Sequence, residues 1–230
     1  AAAAAVRDAQ TRTASLAGMD YAAIADANQR AMVFLVVEFP DSVRVTGTGF
    51  NVLPSGLVVT NRHVVQRPDG TRAQRIAVAF DGTSAQWKRA SVESVSETDE
   101  LAFLRLTTAG VYPVVNGVAR TDASAGLGRP VAILGYPLGT ATAGMSGSIN
   151  TVTPSATLSA GTVSKRVPGT MQLDAFAAQG SSGSPVFDSR GIVVGVVYGG
   201  ATESGGRIVY AVPASRLAAQ LPSDAASILR

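Results

Sequence analysis

From Met32 onward the chain alternates short apolar runs with breaks rich in Gly, Pro, Asn and Asp. Runs at 32–39 (MVFLVVEF), 43–53, 56–61, 75–80, 101–106, 130–137, 146–167, 170–174, 192–200 and 207–212 read as strands. Amphipathic helices do not alternate with them, which argues against a parallel α/β sheet and for an antiparallel barrel or sandwich. About twelve strands exceed one small barrel, so the pattern predicts two packed barrels of roughly six strands, with the seam near loop 107–128. Helical signals lie only at the two ends. Asp20 is placed to cap a short helix through Ala31, and a final helix is expected from Pro213 to Leu221. The expected organisation is an arm at 1–30, a first barrel at 31–115 and a second at 116–230, with no internal repeat.

Composition narrows the chemistry. The 230 residues include no Cys and a single His. That removes disulfides, thiolate nucleophiles, cysteine metal sites and any two-histidine metal centre. A net charge of +3 with scattered Arg and Lys gives no basic stripe for nucleic acid. The apolar run Met32–Val37 is too short to span a bilayer. The expectation is a soluble globular protein needing no metal or organic cofactor.

Three local features can carry a reaction. His63 follows an apolar strand in VVTNRHVV, where an imidazole suits proton transfer near neutral pH. Gln179-Gly180-Ser181-Ser182-Gly183-Ser184-Pro185 sets a Ser between glycines, a loop able to turn backbone N–H groups toward one point. The acidic pair Asp99-Glu100 precedes LAFLRL. Base, acid and nucleophile in that chain order match one known arrangement of the serine triad.

With those residues in place the sequence resembles the trypsin/chymotrypsin superfamily, and within it the HtrA-like (Deg) branch. TGTGFNVLPSGLVVTNRHVV is similar to the branch's approach to its histidine, and DELAFLRL to its acid motif. VAILGYPLG, LSAGTVS, LDAFAAQGSSGSPVF and IVYAVPASRL resemble the later blocks, so the likeness covers residues 31–222. It implies an all-β fold of two packed six-stranded antiparallel β-barrels with a short N-terminal helical arm and a C-terminal helix. It also implies a serine endopeptidase with Ser182 as nucleophile and His63 as base. The amides of Gly180, Ser181 and Ser182 would supply the oxyanion hole.

The sequence departs from the family pattern at three places. Ser181 and Ser184 replace the family's Asn and Gly around the nucleophile. The acid position holds Glu100, one methylene longer than Asp, or about 1.5 Å of extra reach. Glu100 is the favoured acid, as in viral relatives of the fold, and Asp99 is the alternative if a one-residue bulge turns it to the ring. No PDZ domain is expected in the residues after Pro222. By resemblance, Phe176 forms the base of the primary pocket and Ala177, Tyr198 and Gly200 its walls. An apolar base cannot offset a buried cation, and no second His remains to hold a substrate carboxylate. Cleavage after Val, Ala or Ile is therefore expected, with Val197–Gly200 pairing to substrate as an added strand. Further expectations from the resemblance are protein or peptide substrates, a periplasmic or secreted setting, mobile loops at 107–128, 137–147 and 175–181, and homo-oligomer formation left open. The alternative reading is a catalytically silent pseudoprotease serving as a binding scaffold.

Overall fold

A computed structural model describes residues 18–83, 86–138 and 153–230. The Ala-rich start of the chain, positions 139–147 of the second expected loop and the beginning of the 146–167 run lie outside the described residues. Two closed antiparallel barrels make up the fold. The first runs β1 (Met32–Glu38), β2 (Arg44–Leu53), β3 (Leu57–Thr60), β4 (Arg75–Phe80), β5 (Lys88–Val95) and β6 (Ala102–Leu106), closed in the order β1-β2-β3-β6-β5-β4. The second runs β7 (Pro130–Gly135), β8 (Thr157–Val167), β9 (Thr170–Asp174), β10 (Pro185–Phe187), β11 (Val193–Gly200) and β12 (Ile208–Pro213), closed as β10-β11-β12-β9-β8-β7.

The unbroken apolar run of β1 follows from its burial on both faces. Val33, Leu35 and Val37 enter a core formed only by residues of the first barrel, joined by Val58, Val78 and Leu104. Met32, Phe34 and Val36 enter the larger core that continues into the second barrel. Phe34 sits edge-on to Tyr136 across that junction, ring centres 5.3 Å apart. A strand buried on both sides needs no polar alternate position.

Two strands lack a hydrophobic run and escape the sequence pattern. β5 alternates between half-buried and exposed positions with no fully buried residue. β10 is three residues long and follows directly on the Gly/Ser loop.

The end helices form as expected but shorter. In α1 (Tyr21–Asn28) the Asp20 carboxylate accepts from Ala23 N–H at 2.9 Å, and a 3-10 turn carries on to Ala31. The last helix, α3 (Ala214–Ala218), begins after Pro213, which ends β12 and stands at the N-cap instead of the first turn. It stops three residues before the expected Leu221, and a further 3-10 segment follows at Ser223–Ile228. Beyond that segment, Leu229 bridges to Val118 in the connection between the barrels.

Candidate active site

His63 lies on α2 (Arg62–Val65), a single helical turn after β3. Val64 and Val65 anchor this turn in the first-barrel core, which leaves Arg62 and His63 on its open side. The helix can lie against β2 because residue 47 is Gly: a Cβ there would meet Val64 at 3.0 Å.

The His63 ring touches a partner at each nitrogen. Nδ1 is 2.6 Å from Glu100 Oε2, and Nε2 is 2.9 Å from Ser182 Oγ. Glu100 Oε2 also accepts the His63 backbone N–H at 3.3 Å. Its other oxygen, Oε1, accepts from Arg62 Nε at 3.1 Å and Nη2 at 2.9 Å. Burial by itself would raise the Glu100 carboxyl, but the bonds from His63 and Arg62 outweigh it and hold the group below the ordinary carboxylate range. The Asn61 amide donates to the Glu100 carbonyl at 2.6 Å, tying the start of α2 to the loop that carries the acid.

Asp99 does not reach the ring. Its side chain is buried on the other side of the loop, where Oδ2 accepts from Gln220 at 2.8 Å and Oδ1 lies 3.5 Å from Arg216. The bulge that would have turned it to His63 does not form. Both residues lie in the bend that precedes β6, which sends the Glu100 carboxylate to His63 and the Asp99 carboxylate toward Arg216 of α3 and Gln220.

The nucleophile loop is held from the first barrel. Thr48 of β2, fully buried, donates its hydroxyl to Gly180 O at 2.8 Å and accepts Tyr136 N–H at 3.0 Å. Thr48 N–H donates to Ser182 O at 2.8 Å, and Thr60 Oγ1 donates to Thr48 O at 2.8 Å. Gly183 has φ +89, and a Cβ there would lie 1.9 Å from Thr48 O, so the loop passes Thr48 only with glycine at that point. Among the described residues, Gly180 N–H and Ser182 N–H have no bonding partner. Ser181 N–H instead donates to Ala178 O at 2.9 Å, which removes it from the expected trio of free amides. Ser184 is fully buried and its Oγ abuts Gly135, where a Cβ would approach it to 2.0 Å. The replacement therefore packs behind the site instead of entering it.

Beside Ser182 is a cleft of about 180 Å3 lined by Ala177, Ala178, Gln179, Ser181, Val197, Gly199 and Gly200. Ala177 and Gly200, the expected pocket walls, are among its lining residues. Phe176 and Tyr198 do not line it. Phe176 turns outward, half exposed, into a separate apolar cavity with Ala160, Asp174 and Arg207. Tyr198 places its hydroxyl 3.2 Å from Thr170 Oγ1 and stacks near Tyr210. The bond from Ala177 N–H to Gly206 O, 3.0 Å, fixes the loop in the register that sends Phe176 away. The edge of β11 past Val197 runs beside the cleft, because its pairing with β10 ends at Val196.

Arg62 and Thr48 were not singled out from the sequence. Arg62 had a signal: a glutamate where an aspartate is usual calls for a donor to its second oxygen, and an arginine beside the histidine supplies one. Thr48 reads as an ordinary strand residue, and its role depends on contacts 132 residues away.

The family model described as "Trypsin-like peptidase domain" matches residues 47–196. A probable periplasmic serine endoprotease DegP-like of Bartonella henselae is 32% identical over 74% of this chain and 31% of its own length. This chain spans only 21% to 33% of the length of three curated relatives that it matches. Among solved structures, the serine endoprotease from Yersinia pestis aligns with TM-score 0.69 at 22% identity, over 90% of this chain and 66% of that one. The active form of the Rv3671c protease from M. tuberculosis aligns with TM-score 0.63 at 26% identity, over 86% and 82%. With two closed barrels and a family model matched over residues 47–196, the chain belongs to the trypsin-like peptidase family.

Proposed function

We propose that the chain is a serine endopeptidase that hydrolyses peptide bonds through an acyl-enzyme on Ser182. The carrying observation is the His63 ring held between Ser182 Oγ at 2.9 Å and Glu100 Oε2 at 2.6 Å. Ser182 attacks the scissile carbonyl as His63 Nε2 takes its proton, and the imidazolium returns that proton to the leaving amine. Glu100 keeps Nδ1 as the protonated nitrogen and stabilises the positive ring. The free amides of Gly180 and Ser182 receive the oxyanion, a contribution of ~3–4 kcal/mol per donor in comparable sites. Water then attacks the acyl-enzyme, with His63 again as base, and releases the acid product.

The cleft beside Ser182 favours a small apolar residue before the cleaved bond, such as Ala, Val or Ile. Its lining carries no charged side chain, so a substrate Lys or Arg would lose hydration without a partner. Asp174 lines the separate Phe176 cavity and lies 3.8 Å from Arg207. The free edge of β11 beyond Val197 would take the substrate backbone as an added strand. The Bartonella relative, a probable periplasmic endoprotease, supports a periplasmic or secreted setting, and the reaction class supports protein or peptide substrates.

The scaffold reading drew on the irregular acid position and on Ser184. The first is filled by Glu100 in contact with His63, and the second lies behind the site. A fluorophosphonate probe separates the two readings. Labelling of wild type and none of Ser182→Ala is expected, together with cleavage of peptides after Ala or Val. A folded wild type that takes no label and cleaves nothing would overturn the peptidase reading.

A further inference from the structure

The glutamate at the acid position raises a problem of aim. Compared with aspartate it has one more rotatable bond, and a carboxylate swinging on that bond would hold His63 in no fixed orientation. The structure places a clamp on the oxygen that His63 does not use. Arg62 delivers both Nε and Nη2 to Glu100 Oε1, at 3.1 and 2.9 Å. Its remaining nitrogen, Nη1, donates to the carbonyls of Ser96 at 3.3 Å and Glu97 at 3.0 Å. Those carbonyls belong to the loop from which Glu100 arises, and that loop is closed by Ser96 N–H to Leu101 O at 3.0 Å and Asp99 N–H to Ser96 Oγ at 3.0 Å. The guanidinium is thus fixed at both ends, and the carboxylate receives two donors on each oxygen. Both sets of donors come from consecutive residues of one helical turn, Arg62 and His63.

We propose that Arg62 is a positioning residue for the reaction: it grips the outer oxygen of Glu100 so that the longer side chain presents its inner oxygen to His63 Nδ1. Arg62 and Glu100 together do the work that a shorter carboxylate does alone. The inference rests on the peptidase reading above and adds a specific pairing to it.

The test compares wild type, Arg62→Met, Arg62→Lys, Glu100→Asp and the double variant Arg62→Met/Glu100→Asp, as steady-state rates over pH ~5–9. In Arg62→Met, kcat is expected to fall about 10- to 100-fold with KM within about threefold. Lysine, a point cation without the fork, recovers part of the rate. In the Glu100→Asp background the shorter arm no longer depends on the clamp, so adding Arg62→Met costs less than about threefold. If Arg62→Met does not fold, Arg62→Gln carries the same readings. An active wild type whose rate is indifferent to residue 62 overturns the proposal, as does a rate loss that persists undiminished in the Glu100→Asp background. Because His63 is the sole histidine, its Nδ1 proton can also be followed by NMR without turnover. A downfield Nδ1–H resonance that weakens or is lost in Arg62→Met supports the clamp and one left unchanged overturns it, even should wild type prove inert and the peptidase reading fail.

Discussion

The two halves of the site are immobilised in different ways. On the first-barrel side, His63 and Glu100 are fixed by bonds made within that barrel, from α2 to the loop before β6. On the second-barrel side, the loop around Ser182 keeps two amide donors free and takes its shape from outside, chiefly from Thr48 on β2. A carboxylate and an imidazole gain from being fully partnered, since an unpaired buried charge is costly. An oxyanion hole needs the opposite, donors held in place yet unused until charge develops. The second half therefore borrows its rigidity from the first.

The largest expected effect breaks the partnered half. Glu100→Gln keeps the size of the side chain but removes the charge that orders and stabilises the ring, and kcat should fall about 10^3- to 10^4-fold. The same residue gives a pH signature. Its carboxyl is held below the ordinary 4.5, so its contribution to stability is complete above that value and is lost as pH falls through the lower folded value. Acid unfolding of wild type should show that loss below about pH 4.5 and Glu100→Gln should lack it, as followed by Tm against pH.

Next in size is the borrowed half. Gly183→Ala would drive a Cβ to within 1.9 Å of Thr48 O at φ +89. Loss of about 3 kcal/mol or more, together with loss of fluorophosphonate labelling, is the expected result. A milder break is Thr48→Val, which keeps the shape and the backbone bond to Ser182 but leaves Gly180 O and Tyr136 N–H without the hydroxyl. At about 1–2.8 kcal/mol this corresponds to a rate loss of roughly 5- to 100-fold. Thr48→Ser should restore most of it. If Thr48→Val left kcat unchanged, the loop would be rigid by itself and the contrast between the halves would fail.

The smallest effect on rate tests the neighbour. Asp99→Asn disturbs a buried carboxylate that meets Gln220 and Arg216. It should lower the melting temperature while leaving kcat within about threefold, the reverse of the Glu100→Gln signature.

These contrasts also explain what could be read from the chain alone. The double barrel was legible because most strands are short apolar runs between turn residues, and β1 announces burial on both faces by having no polar alternate. β5 and β10 were not, the one because it lacks a buried residue, the other because its three residues merge with a glycine loop. His63 and Ser182 stood out through their flanking sequence. The choice between Asp99 and Glu100 did not, since both lie in the bend before β6, and which acid that bend turns toward the ring is settled by contacts with Arg62, Arg216 and Gln220. Phe176 was misplaced because counting back along a loop assumes a register that the Ala177–Gly206 bond resets. Thr48 was invisible for a more general reason. Its importance lies wholly in contacts to distant parts of the chain, and nothing local marks it.

Division of the site between the barrels also orders events in time. Domains are completed from the N-terminus as a chain leaves the ribosome, so β1 to β6, with His63 and Glu100, emerge while Ser182 is still unmade. The nucleophile arrives later, and its loop reaches the Thr48 contact only when the second barrel packs against the first. A nascent chain carrying half of the machinery has nothing with which to cut itself or its neighbours. Hydrolytic competence, under the proposed function, comes with the final act of folding.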